Sequence, residues 1–521
     1  MKRLVKNGFI MTCIILMGML LPQTVHAQTV KQIPVSFSSG GSVGKTLQAA
    51  LDEALEDQSG ETLYEIQLPS GTYKLDTLLK VYSYTTIKMN GCKLVRSTGK
   101  TMLRIGLEDE VFSGHNGYHD ITIEGGTFDG NGKSGKVSAS MIRMGHGKNL
   151  TFRNMTFQNV YDTHHVELAA CANVLFEGCT FKDFYGKGNT VNSGNNEALQ
   201  FDIIHNKTHF PKYPGFDDTP CKDVTVQNCT FQNLQRGVGT HSAVAGSYFT
   251  NMTFTNNTFS NVKGYAIIAT NYRDSDISQN TISGCGAGIL FRSMVQGYNN
   301  FYTPLDNNVA IEQDANSTIA GNRIEVSDYR YKTTSYGISL YGAKLSSKKK
   351  NAPKGDYTLK GVTVSGNRIT MNNSGYGVWL QGTDSCTVAS NTITMNVKAS
   401  ASGKGNSDCM RLVKSSNIQI TGNTMTQKKK NKKTKNACGI VVTTKSSATI
   451  NKNKINASPK DGVFVVTGSK ATMDRNTIKK TGRYGVNVCD KSNVVLKKSN
   501  KLSKCGKRKT NTYSGGKIKK K

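Results

Sequence analysis

The feature that most restricts this 521-residue chain is a short polar-x-apolar motif, most often Asn-x-Ile, that returns along nearly its whole length. Its apolar members are Phe128, Phe157, Phe181, Phe231, Phe259, Ile282, Ile324, Ile369, Ile393, Met425, Ile455, Ile478 and Leu502. Five of the twelve intervals are 23 or 24 residues, and the others are that length plus an insertion. Within one unit, such as Gly361-Val-Thr-Val-Ser-Gly-Asn-Arg-Ile369 followed by Gly377-Val-Trp-Leu380, apolar residues alternate in runs of strand length broken by Gly and Asn. Each unit thus holds two or three short strands. A strand with one apolar face must bury it against a neighbour, so the units stack into a solenoid around a continuous core. Asn280, Asn322, Asn367, Asn391, Asn423, Asn453, Asn476 and Asn500 recur at one place in the unit. Asn tolerates a left-handed bend between strands, and stacked amides can hydrogen-bond from coil to coil.

Ahead of the repeats, Leu47, Leu51, Ala54 and Leu55 fall on one helical face after Gly40-Gly-Ser42, and Gln67-Leu-Pro-Ser-Gly-Thr-Tyr73 opens a strand. From about residue 33 to residue 502 the chain resembles the right-handed parallel β-helix proteins of the pectate-lyase-like superfamily. The resemblance implies an all-β fold, a single-stranded right-handed parallel β-helix. In that superfamily such a helix caps the open end of the solenoid.

Three segments differ in character. Residues 1–27 read as a cleaved secretory signal: Lys2, Arg3 and Lys6, an apolar run, then Val25-His-Ala27. Residues 28–342 carry the cap and the coils with a candidate active face, and over residues 1–342 the 29 basic and 29 acidic side chains balance. Residues 343–521 hold 38 Lys+Arg against 6 Asp+Glu, so the whole net charge of +32 lies there. The expected location is secreted, released or surface-associated. The basic half suits an anionic wall polymer or acidic glycan, although Lys is also an ordinary soluble residue for outward positions. Nucleic acid is a poor fit, because the Lys runs lack interleaved aromatics that would stack bases. No later stretch is apolar enough to cross a membrane. Beyond the signal there are eleven cysteines, an odd number that forbids complete pairing within one chain. Cys179 and Cys229 occupy equivalent places on neighbouring coils, where buried thiols or a disulfide would both fit.

Chemistry is read by superposing coils on their inward apolar pairs: Ile142/Met144, Val166/Leu168, Leu199/Phe201, Val238/Thr240, Ile267/Ala269 and Ile289/Phe291. One outward column then reads Arg143, Glu167, Gln200, Gly239, Ile268, Leu290, and the next Gly145, Ala169, Asp202, His241, Thr270, Arg292. A third, at the bend before the strand, reads His164, Glu197, Arg236, Tyr265, with His165 beside it. Coils beyond Ile324 show Gly-Ile-Ser-Leu, Gly-Val-Trp-Leu and Gly-Ile-Val-Val at this place, which reads as ordinary packing and confines the expected chemistry to residues 141–294.

Glu167 and Asp202 lie one coil and two residues apart, a diagonal of roughly 8 Å, the spacing of an inverting glycosidase's acid and base. Arg143 and His241 would neighbour them, which also describes two plain ion pairs clamping adjacent coils. Glu197 is the alternative acid. Elimination from a uronate would instead use Arg236 or Arg292 to neutralise the carboxylate and His241 or Tyr265 as base. His164, His165, Gln200, Asn271 and Arg273 complete the expected substrate-binding set with Tyr213 and Phe216. The last two belong to an insertion at residues 204–220 that flanks the face, as does another at 182–196. No metal is expected, calcium being only weakly signalled by Glu167, Glu197 and Asp202.

Gly125-Gly-Thr-Phe-Asp-Gly-Asn-Gly132 and Asp162-Thr-His-His-Val-Glu-Leu-Ala-Ala-Cys-Ala-Asn-Val174 are similar to the polygalacturonase-like glycoside hydrolases. Those enzymes continue with Asn-Thr-Asp, an Asp-Asp pair, Gly-His-Gly and Arg-Ile-Lys. Here those places hold Asn195-Asn-Glu197, Gln235-Arg236 and Gly264-Tyr265, with nothing like the last motif. The expectation is an exported protein that cleaves a polysaccharide, by hydrolysis ahead of elimination. A non-catalytic wall-binding solenoid and a uronan C5-epimerase are the alternatives.

Overall fold

The structure, a computed structural model, describes residues 28–186, 196–293, 301–306, 310–311, 314–327, 335–344, 356–396, 407–427 and 437–521. The expected signal segment, residues 1–27, and Asn195 lie outside the described residues. Short strands succeed one another around each coil and pair in parallel with their counterparts one coil on, giving three long sheets of 19, 16 and 15 strands among the described residues. The repeat motif builds the third of these. Leu94, Phe128, Phe157, Phe181, Phe231, Phe259, Ile282 and Ile324 follow one another in register. Ile369, Ile393, Met425, Ile455, Ile478 and Leu502 continue the same inward file. Four Phe–Phe contacts in this file stack ring on ring, from 6.2 Å between Phe128 and Phe157 down to 4.7 Å between Phe231 and Phe259.

The expected amide ladder is present and starts one coil earlier, at Asn257. Each amide nitrogen donates to the next Asn Oδ1, at 2.8–3.1 Å, as far as Asn500. The bend itself is made differently from the expectation. From Asn280 to Asn476 the left-handed residue is the one before the ladder Asn: Gln279, Gly321, Gly366, Ser390, Gly422, Lys452 and Arg475 all have φ between 52° and 69°. The Asn is left in an ordinary conformation with its amide free for the ladder.

The capping helix is Val43–Glu56, with Ser42 accepting from the Lys45 amide at its N-terminus. Leu47, Ala50, Leu51 and Ala54 are buried, whereas Leu55 is only half-buried. Gln48 completes the cap by pairing with the exposed strand edge, accepting from Lys80 N at 2.8 Å and donating to Lys80 O at 3.1 Å. All eleven described cysteines are free thiols, ten of them buried, and Cys179 and Cys229 stay reduced within the core. No helix among the described residues is long and apolar enough to cross a membrane.

Candidate active face

The second sheet carries the face, on strands Ile142–Gly145, Val166–Ala169, Glu197–Ile204, Arg236–Gly239, Tyr265–Thr270 and Ala287–Arg292. Arg143 pairs with Glu167, Glu167 with Gln200, Ala169 with Asp202, and Glu197 with Arg236, as the superposed columns require.

Residues 204–220 lie over part of this face and divide it. Tyr213, 6% exposed, donates from its hydroxyl to the Arg143 carbonyl at 2.5 Å. Phe210 is fully buried with the Arg143 guanidinium 4.2 Å from its ring centre. His209 Nε2 stands 3.2 Å from Asp202 Oδ1 and 3.1 Å from Ser242 Oγ. Asp218 holds the loop's exit, contacting His205 Nδ1 at 2.5 Å and accepting from Leu305 N at 2.6 Å.

Under that loop the expected carboxylate pair is enclosed. Glu167 is gripped by Arg143, with Nε 3.0 Å from Oε2 and Nη2 3.1 Å from Oε1, and accepts from Ser140 Oγ at 2.8 Å. Asp202 accepts from Gln200 Nε2 at 3.1 Å and Ile203 N at 2.8 Å. Burial pushes its carboxyl up, but His209 and His241 overcome this and hold it at about 2. Glu167 and Asp202 have 7% and 2% of their surface exposed. The glycosidase pair expected from the spacing is therefore two clamped ion pairs beneath a loop.

Beside that loop, partly exposed Arg236 and His241 stand over Glu197, which is wholly buried. Its Oε1 meets Arg236 Nη1 at 2.9 Å and its Oε2 meets His241 Nδ1 at 2.8 Å. Burial raises this carboxyl, but His241 and Arg236 outweigh it and hold Glu197 well below the usual carboxylate range. Glu197 is thus ionised at neutral pH, and the expected alternative acid has no proton to give. His241 pairs with Glu197 and not directly with Asp202, because the strand bend brings Nδ1 within reach of both Glu197 and Gln200 Oε1, the latter at 3.1 Å. Both of those atoms accept, so Nδ1 is the donor and its proton is fixed toward them. His164 is set the same way, since its Nδ1 donates to the Glu197 carbonyl at 2.7 Å. The His164 and His241 rings lie nearly parallel, 5.9 Å between centres. Half-buried Arg292 donates from Nη2 to the His241 carbonyl at 3.4 Å, and Tyr265, also half-buried, follows Arg236 one coil on. Arg292 Nε donates to Thr270 Oγ1 at 2.9 Å.

Several residues expected to bind substrate are placed where they cannot touch one in this conformation. His165 is fully buried, donates from Nε2 to Lys182 O at 2.9 Å, and is lowered to about 4 by burial. Gln200, Asn271 and Arg273 are 0%, 2% and 4% exposed. Asn271 ties down the Ser247 carbonyl and Arg273 the Tyr272 carbonyl. Tyr213 serves the loop, as described. Phe216 does stand out, 37% exposed. Glu167, Glu197 and Asp202 are each committed to cationic partners, and no cluster of acidic, His or Cys side chains suited to a metal occurs among the described residues.

Residues 111–282, 244–409 and 345–471 match the family model described as right handed beta helix region. The plasmin and fibronectin-binding protein A of Streptococcus pneumoniae is 23% identical over 319 residues, 55% of this chain and 44% of that protein, so the match spans less than half the length of that relative. Among solved structures, PfbA, a surface adhesin of Streptococcus pneumoniae, superposes with a TM-score of 0.51 at 17% identity, covering 87% of this chain and 90% of that one. A tailspike protein of E. coli bacteriophage HK620, solved with a pentasaccharide, gives 0.49 at 13% identity, covering 92% and 76%. At these identities the likeness is one of fold.

Proposed function

This chain belongs to the right handed beta helix family, and from that premise we propose that it acts outside the cell on an acidic polysaccharide by taking the C5 proton from a uronate. The observation that carries the reading is the His241 imidazole, whose tautomer is fixed by buried, ionised Glu197. A neutral imidazole with its lone pair on Nε2 is a base, and the carboxylate behind it stabilises the imidazolium that forms. In the reaction the C5 proton passes to His241 Nε2 and the C–H electron pair moves into the uronate carboxyl group. The guanidinium groups of Arg236 and Arg292 neutralise the charge that builds there. Loss of the 4-linked oxygen, with a proton from the Tyr265 hydroxyl, gives an unsaturated uronate. Reprotonation of C5 from the opposite face gives the epimer. Hydrolysis fits less well, since it needs a protonated acid, and Glu197 is held ionised between Arg236 and His241.

The test is incubation of the purified protein with pectic, alginate and glucuronan polymers, following unsaturated products by ultraviolet absorbance, C5 exchange in heavy water by NMR, and reducing ends. Absorbance or exchange is expected. His241→Ala should lower the rate about 100-fold or more, beyond whatever the loss of a partner for buried Glu197 does to melting. Reducing ends without unsaturation would identify a hydrolase and overturn the reading. A second reading, a non-catalytic surface binder, is favoured by the relative whose name is plasmin and fibronectin-binding protein A. It predicts ligand retention with no product, undiminished by His241→Ala.

A further inference from the structure

The columns that carry His164, Glu197 and Arg236 do not end with them. On the later coils of the same sheet, strands Ser335–Tyr341, Gly375–Gln381 and Ser407–Val413 pair in register. Their bend column reads Tyr336, Tyr376, Asp408, and the outward column beside it Ser339, Trp379, Arg411. Gly-Val-Trp-Leu, read from the sequence as ordinary packing, puts Val378 and Leu380 in the core and Trp379 on the outside, half-buried. At the same height the first sheet's outward positions are Thr318, Thr363 and Thr387, and the third sheet's matching file reads Arg323, Arg368 and Thr392. Neither file holds an aromatic residue, so the aromatic cluster on the second sheet calls for another explanation.

Trp379 lies against Tyr376, 4.5 Å between ring centres, and Tyr336 is 5.8 Å from each. Arg411 reaches over Tyr376 at 5.5 Å while Nε and Nη2 both contact buried Asp408 Oδ2 at 2.8 Å. Two coils on, buried Asp461 grips Arg483 of the following coil, with Nε 3.1 Å from Oδ1. A buried carboxylate under an outward cation repeats the construction of Glu197 and Arg236. Rings that offer a flat apolar face beside fixed guanidinium groups suit the C–H face and carboxylate of a uronate. The surrounding coils, residues 343–521, hold all of the chain's excess positive charge, which matches a polyanion.

We propose that Tyr336, Trp379 and Arg411 form a distal subsite for an acidic polysaccharide, gripping a chain whose other end reaches the imidazoles. The substrate class rests on the function proposed above. Trp379 lies four coils from His241, roughly 19 Å at about 4.8 Å per coil, so a polymer can span both places and a short fragment cannot.

Trp379 is the only tryptophan in the chain, and its emission reports this place alone. The full-length protein is titrated with polygalacturonate, alginate and, as neutral control, dextran. A saturable emission change with an acidic polymer and none with dextran is expected. Trp379→Ala should weaken polymer binding roughly tenfold and leave turnover of short oligosaccharides unchanged. Tyr336→Ala, which keeps the reporter, should weaken it too. An acidic polymer that binds with unchanged emission, and equally well to Trp379→Ala, overturns the subsite and leaves the proposed reaction standing. An emission change without product formation overturns the reaction and leaves the subsite. No binding by any acidic polymer overturns both.

Discussion

Asn391 has a partner for every polar atom of its side chain. Oδ1 accepts from the Asn367 backbone and side-chain amides, both at 2.9 Å, and Nδ2 donates to Val364 O, Ala389 O and Asn423 Oδ1 at 2.9–3.0 Å. All of this is out of water. Asn391→Ala would strand the Asn367 donors and two carbonyls, so it should cost about 3 kcal/mol in urea denaturation, since each buried group left unpaired costs ~1–3 kcal/mol. Asn391→Asp should cost more, because it buries a charge and loses both donors. The ladder was legible in the sequence because one residue type returns at one place. The bend was not: its left-handed position is shared by Gly, Ser, Gln, Lys and Arg, and no single residue type marks it. Likewise Trp379 faces outward only by alternation with Val378 and Leu380, which a short apolar run conceals until coils are stacked.

At the scale of the element, sheet register was readable to the residue because a slip of one would turn the core face outward. The path of residues 204–220 was not, since no period governs a loop, and with it went the enclosure of Glu167 and Asp202. What holds that loop is open to titration. Burial pulls His209 down, but Asp202 and Glu167 lift it above its ordinary value of 6.5, with Arg143 opposing. The His209 contribution is therefore complete below 6.5 and lost as pH rises through the raised value. The Asp202 contribution is complete above 3.8 and lost as pH falls through about 2. The loop should be held most firmly between 3.8 and 6.5. Hydrogen exchange of the 205–217 amides should quicken above that window in the native protein, and His209→Gln should flatten the alkaline limb.

Across the whole molecule, charge is divided along the axis of the solenoid, with a balanced first part and a basic second. Exposed charges are screened over about 8 Å at physiological ionic strength. Retention on an anionic resin should therefore fall steeply as salt rises, and salt-insensitive retention would show that the lysines are only solvated surface. The amide ladder also fixes the units in which such a chain can lengthen or shorten by inheritance. Excising residues 454–476 leaves Asn453 followed by Thr477 and Ile478, in the places of Lys454 and Ile455. The bond that ran from Asn453 to Asn476 then runs from Asn453 to Asn500. A gene that gains or loses one such stretch by unequal crossing-over keeps its register, so coil number is the quantity most open to evolutionary drift in this molecule.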